Sequence, residues 1–542
     1  MNKTYKEHQK GIGNLTRSAN KGVLISQYQL FEMYSQGKYV EQDDELSSFY
    51  FELMQKNIKD KKFNLRTLDL YNFRRFKKLD LDFEDNVTVL IGDNGSGKTS
   101  IVDAIAKLLS WFNNNLIKED VVGRPITQTE INVDADDFAT ISATLELDKI
   151  NYFEATLGRV APGYTGTSLT EVVAIKQFAS MYRKTAHNID VILPLISYYS
   201  AERLSANAKN NVSEVAHSDY SGNRFDALND AVDGKSNLDS FPDLYIELVN
   251  LAHGEESSET TELKKVISIM EKSLHDIYGD RRPSEDDPFI LALSQKKNEL
   301  EAILNEERPN KYQRHLQSVN MAIETLVPDI KNIRVDRSTG KPRILLDNYG
   351  YTVNINQLSK GQRTLVSLAG DIAYRLVKLN PDAIEPLKGT GIILIDEIEL
   401  HLHPKWQQEV ITGLLKTFPN IQFIITTHSP QVLSTVDKSN IRKISFNDMG
   451  ELVVKTPTFQ TKGVTSADIL SRIMDINSTP ENIQEAIWVK NFSNALIKNN
   501  TNEVDHYLEK IKKHFGVEHP VVVDCESQIR IHELKSKWSK GE

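Results

Sequence analysis

One run of eight residues has the types and spacing to hold a triphosphate: Gly92-Asp93-Asn94-Gly95-Ser96-Gly97-Lys98-Thr99. It follows the apolar segment NVTVLIG and precedes SIVDAIAKLLSWF, so the pattern predicts a buried strand, a glycine-rich turn and a helix. Glycines let the backbone fold so that successive N–H groups face the β-phosphate at the positive end of the helix. Lys98 is placed to neutralise the β and γ oxygens and Thr99 to ligate magnesium, with Ser100 completing the set in the first turn. A second pair, Asp396-Glu397, closes the apolar run GIILIDE, at the carboxyl end of a predicted strand where α/β proteins bind ligands. Asp396 is the candidate magnesium holder, through water, and Glu397 the candidate base for an attacking water. Paired acids at a strand end can serve solubility alone; a preceding phosphate loop favours the chemical reading.

Two weaker signals accompany these. In Leu358-Ser359-Lys360-Gly361-Gln362, followed by the helical run RTLVSLAGDIAYRLV, Ser359, the Gly361 N–H, Gln362 and the helix terminus form a second anion-binding surface. His428 in FIITTHSP directly follows another buried-strand run. A lone histidine is usually structural, and the other motifs are what raise this one. The segment Glu399-Leu400-His401-Leu402-His403-Pro404 invites a metal reading, but no third and fourth ligands at suitable spacing accompany it.

Phosphate loop, signature-like pentapeptide, acid pair with ELHLHP, and THSP, in that order, resemble the soluble, non-transporter ABC ATPases related to RecF and the chromosome-maintenance heads. The resemblance covers about residues 64–203 and 340–455. It implies an α/β ABC-type ATPase head of the P-loop NTPase class, using ATP and Mg2+. It further implies that Ser359, Gly361 and Gln362 serve the phosphate loop of a facing copy in a head-to-tail pair. His428 then takes the place of the switch histidine at the γ-phosphate, and the ELHLHP loop touches the opposite subunit. The match departs at the Q-loop: after VILPLISYY stand Ser200, Ala201, Glu202 and Arg203, and Gln128 and Gln177 are weak substitutes.

The elements that must position these residues divide the chain as follows. Residues 1–63 read as a helical hairpin resembling a single tetratricopeptide-related repeat, with Leu15, Ala19, Gly22, Leu30, Tyr34, Gly37, Asp43 and Phe49 at telling positions. Residues 64–203 form the first half of the ATPase. Residues 204–335 form a helical insertion with a polar loop, its first helix marked by Leu263, Val266, Ile267, Met270, Leu274 and Ile277. This insertion is too short and too often broken for the long heptad arms of chromosome-maintenance ATPases. Residues 336–455 supply the second half of the ATPase and 456–542 a helical C-terminal region.

The composition, 39% hydrophobic and 26% charged, is that of a globular chain. A formal charge of −10 argues against a surface devoted to nucleic acid. A local strip, Arg74, Arg75, Lys77 and Lys78 interleaved with Phe73 and Phe76, keeps direct nucleic-acid contact open, although alternation at a sheet edge explains the same pattern. The single cysteine, Cys525, and the lack of long apolar stretches lead to the expectation of a cytoplasmic protein without a membrane partner. SYYSAER at 197–203, the insertion, and GVTSADIL at 463–470 resemble the PtuA family, the ATPases of Septu antiphage systems, especially the retron-associated kind. That resemblance implies an antiphage regulatory ATPase with a separate HNH nuclease and, for the retron-associated kind, a reverse transcriptase with its small DNA–RNA hybrid. The other reading is a RecF-like or chromosome-maintenance ATPase that itself binds DNA; one fold serves both.

Overall fold

The structure, a computed structural model, describes residues 2–59, 61–166, 169–188, 190–201, 223–233, 238–254, 263, 265–270, 273–274, 287–306, 310–338, 340–477, 480 and 482–539. Its strands in chain order are β1 (Asn64–Phe73), β2 (Phe76–Asp82), β3 (Val87–Gly92), β4 (Phe138–Glu146), β5 (Tyr152–Val160), β6 (Leu195–Tyr199) and β7 (Ile330–Asp336). They continue as β8 (Arg343–Asn348), β9 (Tyr351–Asn354), β10 (Gly391–Ile395), β11 (Ile421–Thr426), β12 (Ile441–Phe446) and β13 (Leu452–Lys455).

The core sheet has the order β13-β12-β3-β11-β10-β6, parallel from β12 to β6 with β13 antiparallel at one edge. Its inner strands are short runs of Val, Ile, Leu and aromatic residues without polar alternation, as sheets covered on both faces require. Every residue of β6, β10 and β11 is buried. The helix Lys98–Ile117, which follows the phosphate loop, is buried along most of its length. Because β3, β11 and β10 are consecutive neighbours and parallel, the carboxyl ends of all three lie side by side. Those ends carry the phosphate loop, His428 and the acid pair, with Thr99 and Asp396 standing 297 residues apart in the chain.

A second sheet, β2-β1-β4-β5, is wholly antiparallel. Burial alternates along β4, as on a sheet with one wet face. The β1–β2 turn at Arg74-Arg75 is closed by the Phe73–Phe76 pair. A third, three-stranded sheet, β7-β8-β9, leads into Ser359 and the buried helix Lys360–Leu379.

The N-terminal region corrects one expectation. It contains three helices, Asn2–Asn20, Leu24–Gln36 and Asp44–Ile58, rather than a two-helix hairpin. Gly37, in the left-handed conformation, stops the second helix, and the Asp43 carboxylate caps the third by accepting from the Leu46 N–H at 2.9 Å. Ala19, Leu30 and Tyr50 from the three helices share one small core.

The insertion shows helices Phe241–Gly254, Pro288–Glu306 and Lys311–Leu326. Of the helix expected over Leu263–Ile277, the described residues 263, 265–270 and 273–274 are helical, whereas Glu202, Arg203 and the polar stretch that follows them to residue 222 lie outside the described residues. Residues 463–542 form a separate compact unit. Its helices Gln484–Ile497, Thr501–Phe515 and Pro520–Ser539 pack Phe492, Val504, Ile511, Val522 and Cys525 into a core of their own. No helix among the described residues is long and apolar enough to cross a membrane.

Candidate nucleotide site

The phosphate loop wraps the end of β3. Gly97 adopts φ 97°, and a Cβ there would stand 2.4 Å from the Phe76 ring, so only glycine fits. Lys98, 6% exposed, donates to the carbonyls of Gly92 at 2.8 Å and Asp93 at 3.1 Å. The ammonium thus lies folded across the loop it belongs to. Burial lowers its pKa, opposed by the nearby charges of Asp396, Glu397, Glu399 and Asp93.

Thr99 reaches the end of β10, where its hydroxyl donates to Asp396 Oδ2 at 2.9 Å. The other oxygen of Asp396 accepts from the Thr426 hydroxyl at 2.6 Å, and Thr426 Oγ1 in turn accepts from the Glu397 N–H at 2.8 Å. One threonine at the end of β11 therefore fixes both acids of the neighbouring strand. Glu397 sits at φ 53°, a conformation that turns its side chain away from the strand direction at a cost in strain. Among the described residues, neither the Glu397 carboxylate nor the His428 imidazole has a side-chain hydrogen bond. The Thr99 hydroxyl and Asp396 carboxylate, both hard oxygen donors on adjacent element ends, fit the ligand chemistry of Mg2+.

His428 is held through its backbone. Glu399 accepts from the His428 N–H at 2.5 Å and from the Thr427 hydroxyl at 2.7 Å. The sequence reading missed Thr426, Thr427 and Glu399 as parts of the site. Two consecutive threonines at and just past the end of a fully buried strand were the available signal, since a buried hydroxyl needs a partner.

The Arg74–Lys78 strip resolves into separate roles. Arg74 is tied to Asp103 at 2.5 Å and Glu130 at 2.7 Å and reaches the Ser100 hydroxyl at 3.4 Å. Lys107 pairs with Glu130 and Arg124 with Asp103, so the network braces the first turns of the phosphate-loop helix against the loop around Gln128. Burial pushes the Glu130 carboxyl up, but the Thr127 N–H, Arg74 and Lys107 outweigh it and hold the pKa at about 2. Arg75 lies alongside Gly95 and Gly97, its guanidinium 5.5 Å from the Phe446 ring centroid. Gln177 is elsewhere, facing Gln29 of the N-terminal helices at 3.4 Å.

The signature-like segment forms a different kind of surface. Ser359 caps the helix Lys360–Leu379: its hydroxyl accepts from the Gln362 N–H at 3.3 Å, and its own N–H donates back to Gln362 Oε1 at 3.4 Å. Gln362 also donates to Asn348 Oδ1 at 3.1 Å, tying the cap to β8. Gly361 packs so closely on the ELHLHP loop that a Cβ would stand 2.4 Å from the His401 carbonyl. Ser359, Lys360 and Gly361 line an open cavity of about 680 Å³ with His401, His403, Lys405, Trp406 and Tyr349. No phosphate-loop residue lines it. The fold thus brings Gly92–Ser100, Asp396, Glu397 and His428 to one corner, and gathers Ser359, Gly361 and Gln362 with the ELHLHP loop at another.

Comparison with known proteins agrees with this architecture. The AAA ATPase domain family model matches residues 64–433. The chain is 30% identical over 537 residues to the retron Ec83 probable ATPase of Escherichia coli, covering 96% of each protein. It is 32% identical over 478 residues to the retron Vc95 probable ATPase of Vibrio cholerae serotype O1 biovar El Tor, covering 87% of this chain and 90% of that one. A shorter match, 29% identity over 169 residues, joins 31% of this chain to 23% of the Septu protein PtuA of Bacillus mycoides strain KBAB4.

Proposed function

The chain belongs to the AAA ATPase domain family and to the retron-associated, PtuA-like ATPases within it, and from that premise we propose that it is the ATP-hydrolysing control subunit of an antiphage defence system. The observation that carries the catalytic part is the hydroxyl bridge at Thr426, which sets Asp396 beside Thr99 and Glu397 beyond it.

In this reading Lys98 leaves its loop carbonyls and balances charge on the β- and γ-phosphates of ATP. Thr99 and Asp396 hold Mg2+, which neutralises the triphosphate when bound. Glu397 takes the proton of the water that attacks the γ-phosphorus, releasing ADP and phosphate. His428 contacts the γ-phosphate. The cavity beside Ser359 and Gly361 receives the triphosphate of a facing copy, so two chains joined head to tail about a two-fold axis complete two sites.

The defence role rests on kinship, since the relatives named for retrons match nearly the whole chain. We assign the cutting step to a separate HNH nuclease and place a reverse transcriptase with its DNA–RNA hybrid in the same assembly. ATP shifts such an assembly only through its differential affinity for the restrained and released forms. The test is phage challenge of cells carrying this gene with its neighbours, as wild type or Lys98→Ala. Protection lost in the variant supports the control role. Protection unchanged, or nucleic-acid cleavage by this chain alone, refutes it.

A further inference from the structure

The cavity beside the signature-like segment is larger than contact with a γ-phosphate uses, and part of its wall is aromatic. Its volume of about 680 Å³ falls within the roughly 300–1,000 Å³ of pockets that take a whole small-molecule ligand. Lys360 and Lys405 supply positive charge on the lining, and Trp406 and Tyr349 supply rings. His401 adds no charge at neutral pH, because burial and the neighbouring Lys360 lower its pKa from the ordinary 6.5. Trp406 stands half-buried in the first turn of the helix Pro404–Thr417, its ring centroid 6.5 Å from that of His403. Tyr349 and Gly350 form the two-residue turn between β8 and β9, with Asn348 paired to Tyr351 across it. Both turn residues have positive φ, 49° and 83°. Such a turn ordinarily takes Asn, Asp or Gly at its first position, and a bulky ring there stores strain. The strained ring is also anchored. Its hydroxyl donates to Asp329 at 2.9 Å, and the adjoining Asn348 accepts from Gln362 of the signature helix at 3.1 Å. Turn chemistry gives no reason for a tyrosine at this position, whereas a ring required at the cavity wall does.

We propose that this cavity receives the nucleoside of the facing copy's ATP as well as its phosphates, with Trp406 as the platform for the base and Tyr349 as the wall that confines it. This rests on the two-copy ATPase reading above and adds base selection to it. Cations and flat rings together are what a nucleotide requires: the lysines balance phosphate charge, and an aromatic face stacks on a base. At the phosphate-loop corner, by contrast, the exposed Phe446 ring carries the Arg75 guanidinium 5.5 Å from its centroid. Selection by stacking follows stacking strength, which favours the larger purine over a pyrimidine. One copy then holds the triphosphate and magnesium, the other reads the base, and ATP is selected as the pair closes.

Steady-state turnover of ATP and of CTP is measured for the full chain as wild type, Trp406→Ala, Trp406→Phe and Tyr349→Asn. Melting temperature is recorded for each, with ATP affinity at dilutions where light scattering finds separate chains. Wild type is expected to have a higher kcat/KM for ATP than for CTP. In Trp406→Ala the value for ATP falls by roughly fivefold to a hundredfold, the range for losing one base–aromatic stack, and CTP loses less. Affinity of the separate chain changes by less than about twofold, since the platform belongs to the facing copy. Trp406→Phe keeps a ring and most of the preference for ATP. Tyr349→Asn matches or exceeds the wild-type melting temperature, because Asn suits the positive φ, yet loses part of that preference. Wild-type turnover without preference, or equal losses for both nucleotides in Trp406→Ala, overturns the base platform and leaves the ATPase reading standing. So does unchanged turnover in the folded Trp406 and Tyr349 variants. A fall in ATP affinity of the separate chain overturns the assignment to the facing copy's nucleotide. Absence of wild-type turnover overturns the ATPase reading and this inference together.

Discussion

The two corners that carry the nucleotide motifs differ in how much of their structure is internal. At the phosphate loop, Thr99, Asp396, Thr426 and the Glu397 N–H are joined by bonds of 2.6 to 2.9 Å, Lys98 is bonded to the carbonyls of Gly92 and Asp93, and an ion-pair network from Arg74 to Arg124 braces the helix behind them. At the signature, Ser359 and Gln362 satisfy each other, and the surface above them is an open cavity with Lys360, Lys405 and two histidines on its walls. One corner is preorganised by its own chain; the other lines an open cavity with Lys360 and Lys405. A site that must assemble between copies is expected to divide its work in this way, because only one side needs to hold nucleotide before the partner arrives.

Four measurements sharpen or break this contrast. The largest effect is expected for Glu397→Gln, which lowers turnover by about a hundredfold or more, as loss of a general base does. Nucleotide binding survives, and light scattering should find the variant trapped as a closed pair with ATP and magnesium. Turnover equal to wild type removes Glu397 from its role. Next, Lys98→Ala weakens ATP binding by roughly tenfold to a hundredfold, the range for losing a bond to a charged group. Calorimetry that finds wild-type affinity refutes the phosphate-loop assignment.

Ser359→Arg tests the outward-facing corner. Its bulk fills the cavity, so turnover should fall on the order of tenfold through misplacement of the facing copy, while ATP affinity of the separate chain stays as in wild type. Loss of affinity in the separate chain would mean that the signature serves its own phosphate loop, and the contrast between corners would collapse.

The smallest effect concerns the brace. Glu130 has its pKa depressed from 4.5 to about 2 in the folded state, so its contribution to stability is full above pH 4.5 and is lost as pH falls toward 2. Glu130→Gln should lower the melting temperature by roughly 3–6 °C at neutral pH. The gap to wild type should close on acidification through that window. A pH-independent gap would show that packing rather than charge accounts for the loss.

The candidate site residues were legible because their patterns are local. A glycine-rich turn between a buried strand and a helix is written in consecutive residues, as are the acid pair and Ser359 at a helix start. The strands β3, β6, β10 and β11 could be read from short, mostly apolar runs. The third N-terminal helix was less visible because its separation from the second rests on caps, here Gly37 and Asp43, more than on periodicity. Arg74 and Arg75 looked alike in sequence, and only their surroundings distinguish them: one is spent on Asp103 and Glu130, the other lies beside the phosphate loop.

What the sequence determined by itself was therefore the set of motifs and their order, since each is specified by neighbours within one turn or one strand. The tertiary structure decided which of them meet. Parallel pairing of β10 with β11 and of β11 with β3 sets Asp396 against Thr99, 297 residues away, and places Thr426 between the acids. The same packing lays His401 under Gly361 and Glu399 against His428. Those contacts follow from strand order in the sheet, a property set by burial of whole faces and carried by no single residue's type or spacing.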